Sequence, residues 1–159
     1  MSDTGAGMSN IHATGLVLGG TGLLLRGPSG AGKSLLALEL MDRAGLDGRE
    51  AALVADDRVD VGIEQGGLVM QAPSTIAGLI ELRGRGIVRR PFVSKAKVHL
   101  VVDLVDDLVR MVEEDALQTD LLGVTLRRCP VPRRGVIDAP HQWLLVQEAL
   151  AELRPQGAV

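Results

Sequence analysis

A single α/β domain is predicted by three features of this 159-residue chain. The length fits one domain, and 46% of the residues are hydrophobic, which is enough to bury a core without disulfides. Short apolar runs alternate with segments of helical periodicity, as in α/β proteins. A glycine-rich segment over 27–34 stands between such a run and a helical segment. We therefore expect one folded unit over 11–155, preceded by a disordered lead-in over 1–10.

The first elements follow from glycine turns and leucine spacing. Residues 11–25 alternate apolar and small residues around a Gly-Gly-Thr-Gly sequence, which predicts two strands joined by a turn. Leucines separated by acidic residues over 33–44 predict a helix, and Gly45 is suited to end it. The apolar run 51–55 is typical of a buried strand. These elements predict a β-β-α-β beginning of the domain.

The middle of the chain is predicted to hold a hairpin and a short helix. The segments 59–63 and 68–71 flank Glu-Gln-Gly-Gly, which indicates a β-hairpin. A Pro-Ser-Thr sequence then precedes 76–82, which we interpret as a short helical stretch closed by Gly84.

The last elements are two strands and a helix. The β-branched run 98–105 predicts a central strand, and 124–126 predicts a shorter one. Asp138 is suited to cap a final helix that has Pro140 in its first turn and an apolar stripe around Trp143.

Composition disfavours several classes of function. One Phe, one Trp, no Tyr and a net charge of −3 make nucleic acid a poor partner, since aromatic platforms for bases are lacking. Cys129 is the single cysteine, and three scattered histidines offer no zinc-binding spacing. The small, polar N-terminus does not have the pattern of a signal peptide, and no apolar run is long enough to cross a bilayer. We therefore expect a cytoplasmic protein without a membrane partner.

A phosphate-binding loop is predicted where the first strand pair meets the first helix. The residues Gly27, Pro28, Ser29, Gly30, Ala31, Gly32, Lys33 and Ser34 match GxxxxGK[ST] in the required strand–loop–helix context. Its glycines allow successive amide N–H groups to surround phosphate, while Lys33 reaches the outer phosphates and Ser34 ligates magnesium. The helix dipole adds positive potential. A chance match in a glycine-rich turn is the alternative, and the order of elements disfavours it.

Two adjacent carboxylates, Asp56 and Asp57, follow the strand predicted at 51–55. Ligands gather at the carboxyl ends of strands in α/β folds, so this pair should lie near the phosphate loop. One carboxylate can hold magnesium or its water while the other accepts a proton from a substrate hydroxyl. The sequence does not separate the two roles, and a pair of turn-forming acids is the competing interpretation.

A second charged segment begins at Glu81 and continues with Arg83, Gly84, Arg85 and Gly86. An acid and two arginines around paired glycines suit a metal and phosphate site that backbone approaches closely. The alternative is an exposed helix end with ordinary surface charges, which has the same residue pattern. More basic residues follow it up to Lys97, and this cluster either meets phosphate or an acidic protein, or is a solvated face.

Three ordered motifs resemble the bacterial HPr kinase/phosphorylase family: GPSGAGKS at 27–34, ADDRV at 55–59 and IELRGRGIV at 80–88. The resemblance covers nearly the whole chain, but only as the C-terminal catalytic domain of that family. It implies a phosphate-loop domain with a mixed sheet and flanking helices. It also implies an ATP- and Mg²⁺-dependent kinase that phosphorylates a serine of an HPr-like phosphocarrier of the phosphotransferase system. The family also catalyses reversal, in which inorganic phosphate removes the phosphoryl group as pyrophosphate, and it forms hexamers.

The resemblance assigns roles to residues of the motifs. Lys33 would bind the phosphates, Ser34 and Glu81 would hold magnesium, and Asp57 would accept the serine proton, with Asp56 kept beside it as an alternative base.

Four further positions are candidates through the same resemblance. His12 is similar to a family histidine that interacts with phosphate, although a lone histidine in a strand is more often structural. Arg83 lies in the signature segment and would help receive the carrier. Arg110 is similar in position to a functional arginine, with a solvated arginine as the alternative. Arg133 lies in a segment that resembles the family's PVRPGRN, but proline and arginine are interchanged here.

Two other functions remain open at this stage. A P-loop kinase of a small metabolite would keep the loop and the acids but would need a substrate pocket or lid. A nucleotide-sensing module would bind ATP without turnover, and Asp57 would then be dispensable.

Overall fold

Twelve strands and two α-helices make up the described part of the protein, residues 7–73 and 77–153 of a computed structural model. The strands are β1 Ser9–Ile11, β2 Ala13–Leu18, β3 Thr21–Arg26, β4 Ala51–Ala55, β5 Val59–Glu64, β6 Gly67–Gln71, β7 Leu79–Leu82, β8 Gly86–Arg89, β9 Lys95–Lys97, β10 Leu100–Val105, β11 Gln118–Leu121 and β12 Val124–Pro132. The helices are α1 Lys33–Leu46 and α2 Ala139–Glu152, with a 3₁₀-helix over Glu114–Leu117.

The central sheet is mixed and has the order β11-β12-β10-β3-β2-β4. Strand β10 is parallel to both β3 and β12, and β2 is antiparallel to both β3 and β4. The carboxyl ends of β3, β4, β10 and β12 therefore share one edge with the amino end of β2. This edge positions the candidate site, and the sheet confirms the predicted α/β class.

The central sheet separates two apolar cores. Leu23 and Leu25 face a core shared with α1 and α2, whereas Leu24 faces a second core. This alternation follows from the two-residue period of a strand. The second core is covered by an antiparallel sheet of order β1-β5-β6-β9. Both faces of β3 are thus buried, which holds the start of the phosphate loop rigidly.

The first helix is longer than predicted. It passes through Gly45 and ends at Leu46, with Asp47 as its C-cap. A glycine inside a helix costs about 1 kcal/mol, which tertiary packing can outweigh. Gly48 adopts the left-handed conformation (φ 81°) that is typical of a glycine after a helix. The glycine that marks the end of α1 is therefore Gly48 and not Gly45.

The helix predicted over 76–82 is wrong. Residues 74–76 lie outside the described residues, and Leu79–Leu82 is strand β7, which forms a hairpin with β8. Ile80 is buried and Glu81 is exposed, a two-residue alternation that a short segment does not distinguish from a helix turn. Gly84 (φ 94°) and Gly86 (φ 115°) make the turn that returns the chain.

Other boundaries shift for simple reasons. Strand β10 starts at Leu100 rather than at 98, because the Val98 N–H donates to the carbonyl of Leu68, which lies in β6 of the other sheet. Strand β12 extends to Pro132, beyond the predicted 124–126. Strand β11 pairs with residues 124–127 of β12. Pro130 and Pro132 lie beyond that pairing, where a missing N–H breaks no hydrogen bond to β11.

The remaining elements agree with the sequence. The hairpin of β5 and β6 and the turn between β2 and β3 are confirmed. Asp138 caps α2 by accepting a hydrogen bond from the His141 N–H at 3.0 Å. Strand β1 includes Ser9 and Asn10, so regular structure begins within the expected lead-in. Neither described helix is of a length and hydropathy that would cross a bilayer.

Candidate active site

A polar pocket of about 290 Å³ lies at the carboxyl edge of the central sheet. Its walls come from the loop between β3 and α1 and from four other segments. The lining residues are Ser29, Gly30, Ala31, Gly32, Lys33, Ser34, Leu35, Asp57, Glu81, Arg83, Arg133 and Arg134. The pocket thus collects most of the candidates named from the sequence.

The loop has the tight backbone that phosphate binding requires. Gly30 and Gly32 have φ values of 84° and 100°, a region that favours glycine. The Ala31 N–H donates to the Pro28 carbonyl at 3.0 Å, and the Leu36 N–H donates to the Gly32 carbonyl at 2.9 Å as the first bond of α1. The loop therefore ends directly in a helix N-terminus, where unpaired N–H groups and the helix dipole favour anions.

Lys33 is folded over its own loop. Its Nζ donates to the Gly27 carbonyl at 2.7 Å and to the Pro28 carbonyl at 3.3 Å, and the residue is only 6% exposed. Burial lowers the pKa of Lys33 below its usual value, while the charges of Asp57 and Asp56 oppose that change. Gly27 and Pro28 thus hold the ammonium group rather than line the pocket.

Asp56 is an acceptor that three donors surround. Its Oδ1 accepts from the Ser34 hydroxyl at 2.6 Å and from the Thr14 hydroxyl at 2.9 Å. Its Oδ2 accepts from the Glu81 N–H at 3.2 Å. This carboxylate joins the first turn of α1, β2 and β7 at the end of β4.

Asp57 has a different environment from its neighbour. It lies in the left-handed region (φ 73°), its side chain is 64% exposed, and it lines the pocket. His12 Nε2 lies 2.6 Å from Asp57 Oδ1. Within residues 7–73 and 77–153, Asp57 Oδ2 has no hydrogen-bond partner. The structure therefore separates two carboxylates that the sequence leaves equivalent.

The hairpin of β7 and β8 supplies Glu81 and Arg83. Both side chains are exposed and line the pocket, and the backbone of Glu81 is tied to Asp56. Other members of the basic cluster form surface ion pairs instead, with Arg90 near Asp42 and Lys95 near Glu64. The cluster is thus divided between the pocket and a solvated face.

Arg133 and Arg134 enter the pocket from the end of β12. Arg133 Nε donates to Asp106 Oδ1 at 2.9 Å. Arg134 Nε donates to Oε1 of Gln142 at 3.2 Å, and Gln142 is 1% exposed. Arg134 was not among the predicted site residues, because only a strand extending to 132 places its position at this edge.

Arg110 is the candidate that the structure does not bring to the pocket. It is exposed in the segment between β10 and the 3₁₀-helix and is not one of the lining residues. Its neighbour in that segment, Asp106, reaches the site only through Arg133.

The charged side chains of the pocket are mostly cationic. Four cationic side chains (Lys33, Arg83, Arg133 and Arg134) line it against the two carboxylates of Asp57 and Glu81. The Ser34 proton is directed to Asp56, which leaves oxygen lone pairs of Ser34 available to a hard cation. Among the described residues, no group of three or more His, Cys, Asp or Glu side chains is arranged to hold a metal. Ser34 and Glu81 are the oxygen-bearing side chains of the pocket that could hold a magnesium ion together with phosphate and water.

A family model and individual relatives identify the same kind of protein over most of this chain. Residues 4–135 match the family described as the HPr serine kinase C-terminal domain. The chain is 33% identical to the HPr kinase/phosphorylase of Bordetella pertussis, with 76% of this chain and 41% of the relative covered. It is 32% identical to that of Clostridium acetobutylicum, with 84% and 46% covered. The chain thus spans less than half the length of these relatives.

A solved structure is similar as well. The structure titled "Hpr(Ser) kinase/phosphatase from Coxiella burnetii" matches with a TM-score of 0.70 and 27% identity, covering 91% of this chain and 95% of that one. The family match covers the phosphate loop, both aspartates and the β7–β8 hairpin together. The chain therefore belongs to the HPr serine kinase C-terminal domain family.

Proposed function

We propose that this domain transfers the terminal phosphoryl group of ATP to a serine of an HPr-like phosphocarrier. The observation that carries the proposal is the pocket in which the exposed carboxylate of Asp57 stands beside a phosphate loop with Lys33 and Ser34. Phosphoryl transfer requires held phosphates, neutralised charge and an oriented nucleophile, and these residues offer each of them. The choice of an HPr-like carrier and of serine as the acceptor is based on the names of the similar proteins.

The phosphates would be held by the loop amides and by four cations. Lys33 would exchange its hydrogen bonds with the Gly27 and Pro28 carbonyls for bonds to phosphate oxygens, which are stronger because both partners are charged. Arg83, Arg133 and Arg134 complete the positive wall. Ser34 and Glu81 would hold Mg²⁺, which neutralises charge that develops on the transferred group. ATP and Mg²⁺ are both part of this proposal.

Asp57 is the base in this proposal, and Asp56 is not. Both oxygens of Asp56 already accept hydrogen bonds, and Asp56 does not line the pocket, so it is the poorer acceptor for a substrate hydroxyl. Among the described residues, the carboxylate of Asp57 has a hydrogen-bond partner only at Oδ1, in His12, and it reaches the pocket, so Oδ2 can accept the serine proton. His12 would hold the carboxylate in place through the contact between its Nε2 and Asp57 Oδ1. In the reverse direction, in which inorganic phosphate attacks phosphoserine and yields pyrophosphate, Asp57 would return the proton.

The proposal is tested by incubating the purified protein with magnesium ATP and an HPr-like carrier, followed by intact mass measurement and mapping of the phosphate. A gain of one phosphate on a carrier serine, lost in Lys33→Ala, supports the kinase. Addition of inorganic phosphate to the product tests reversal through release of pyrophosphate. Bound ATP with no change in carrier mass would contradict the proposal and favour a nucleotide sensor or a kinase of a small metabolite.

Two further expectations come from the family resemblance alone. A hexamer is expected, and light scattering of the purified protein measures it. Location in the cytoplasm is expected as well, and fractionation of the source cell tests it.

A further inference from the structure

Three consecutive residues at the start of β2 hold Asp57 from one side. His12 contacts its carboxylate, and the Ala13 N–H donates to its carbonyl at 3.2 Å. The hydroxyl of Thr14 accepts from its N–H at 3.2 Å. Both backbone polar groups and the side chain of Asp57 therefore have partners in 12–14.

Thr14 also contacts the other aspartate. Its hydroxyl donates to Asp56 Oδ1 at 2.9 Å, and Thr14 is completely buried. A hydroxyl has one proton to donate and lone pairs to accept with. Because that proton is used on Asp56, the direction of both hydrogen bonds is fixed. One buried group thus joins the two adjacent aspartates.

The backbone at this point is not ordinary. Asp57 has φ of 73°, which side chains other than glycine rarely adopt, although aspartate tolerates it better than most. The register between β2 and β4 also shifts, since Gly15 pairs with Ala55 while Leu16 pairs with Leu53. Such irregularities redirect side chains and cluster beside active sites. Something must hold the chain in this conformation, and the Thr14 hydroxyl is placed to do so.

We propose that Thr14 is a positioning residue that holds Asp57 in its left-handed conformation and turns Asp56 toward Ser34, so that the two carboxylates take different roles. This proposal rests on the proposed kinase function for its catalytic consequence. The Asp57 conformation itself does not depend on that function. No motif of the sequence analysis includes Thr14.

The hydroxyl, rather than the volume of the side chain, is what the proposal requires. Valine has nearly the shape of threonine and fills the same buried space, but it offers neither donor nor acceptor. Serine keeps the hydroxyl and removes only a methyl group. Thr125→Val is a matched control, because Thr125 donates to Asp120 at 2.7 Å on the β11–β12 hairpin, outside the pocket lining.

The experiment has two readouts on the full chain. The first is amide hydrogen exchange at Asp57, followed by NMR. We expect exchange at least tenfold faster in Thr14→Val, and within threefold of the parent protein in Thr14→Ser and Thr125→Val. Unchanged exchange in Thr14→Val would overturn the proposal without any reference to activity.

The second readout is steady-state kinetics with magnesium ATP and the carrier. We expect Thr14→Val to lower kcat at least tenfold while the KM for ATP changes less than threefold, and Thr14→Ser to recover most of the loss. Thr14→Val should add nothing to the loss already caused by Asp57→Asn, since it acts through that residue. Equal losses in Thr14→Val and Thr14→Ser, or additive losses with Asp57→Asn, would make Thr14 a packing residue and overturn the proposal. If Thr14→Val exchanges faster at Asp57 as expected but the parent protein does not phosphorylate the carrier, the kinase function is contradicted and the positioning of Asp57 stays supported.

Discussion

The Ser34 hydroxyl donates to Asp56 Oδ1 at 2.6 Å, which links the first turn of α1 to the end of β4. The bond directs the serine proton to Asp56 and leaves the Ser34 lone pairs free to accept. Under the proposed function, Asp56 would act on the magnesium ion through Ser34 rather than as a direct proton acceptor. Outer partners of this kind set the orientation of metal ligands.

We expect Asp56→Asn to weaken magnesium binding about 10- to 100-fold, because removal of an outer partner typically has that effect. The measurement is a magnesium titration of nucleotide binding, which is independent of turnover. Asp120→Asn, on the edge strand β11 and outside the pocket lining, serves as the control. An unchanged magnesium midpoint in Asp56→Asn would contradict the role given to the Ser34–Asp56 bond.

We expect Arg134→Ala to weaken ATP binding about 10- to 100-fold, since a hydrogen bond to a charged group contributes about 1.5–3 kcal/mol. Arg134 lines the pocket, and the buried Gln142 fixes its guanidinium group. Calorimetric titration with magnesium ATP measures the effect, with Arg127→Ala as a control at a position outside the pocket. Unchanged affinity for ATP in both variants would contradict a role of Arg134 in binding the phosphates.

The stability of the domain should fall in acid through Asp103. Burial raises the pKa of Asp103, but hydrogen bonds and charges from Arg26 and Arg128 outweigh it and hold the pKa below its usual value of 3.8. These bonds, at 2.7 and 2.6 Å, join β3, β10 and β12. Since the folded pKa is depressed, this stabilisation is present above the unfolded pKa and is lost as pH falls from near 4 through the folded pKa.

Asp103→Asn should lower the free energy of unfolding at pH 7 by at least about 2 kcal/mol, because it leaves two arginines without their charge partner. The variant should also lose less stability than the parent protein between pH 5 and 3. Urea denaturation at both ends of that range measures this. Asp115→Asn, an exposed position, should change stability by less than about 0.5 kcal/mol. A parallel pH dependence in the Asp103→Asn variant and the parent protein would contradict the assignment.

The parts of the site predictable from the sequence are those encoded locally. The loop over 27–34 carries its own signals, because its glycines, Lys33 and Ser34 act where they stand in the chain. Asp57 was placed near the loop by the general rule that ligands gather at the carboxyl ends of strands. The structure adds the distinction between Asp57 and Asp56, which depends on contacts from β2.

The parts missed depend on tertiary structure. Thr14 contacts the aspartates across 42 residues or more of sequence, so no local pattern marks it. Arg134 reaches the pocket because β12 is nine residues long, whereas the sequence predicted a strand over 124–126 only. The segment at Ile80 was misassigned because four residues do not distinguish a strand from one helical turn.

Asp57→Asn provides the most direct test of the central claim, measured as single-turnover transfer from magnesium ATP to the carrier alongside the affinity for ATP. Because in the proposed function Asp57 accepts the proton and does not hold the nucleotide, transfer should fall about 10²- to 10⁴-fold while affinity changes less than threefold. Asp120→Asn controls for the loss of a carboxylate elsewhere in the domain. Transfer at the parent rate in Asp57→Asn would contradict the account, because the pocket would then perform its chemistry without the carboxylate that the structure presents to it.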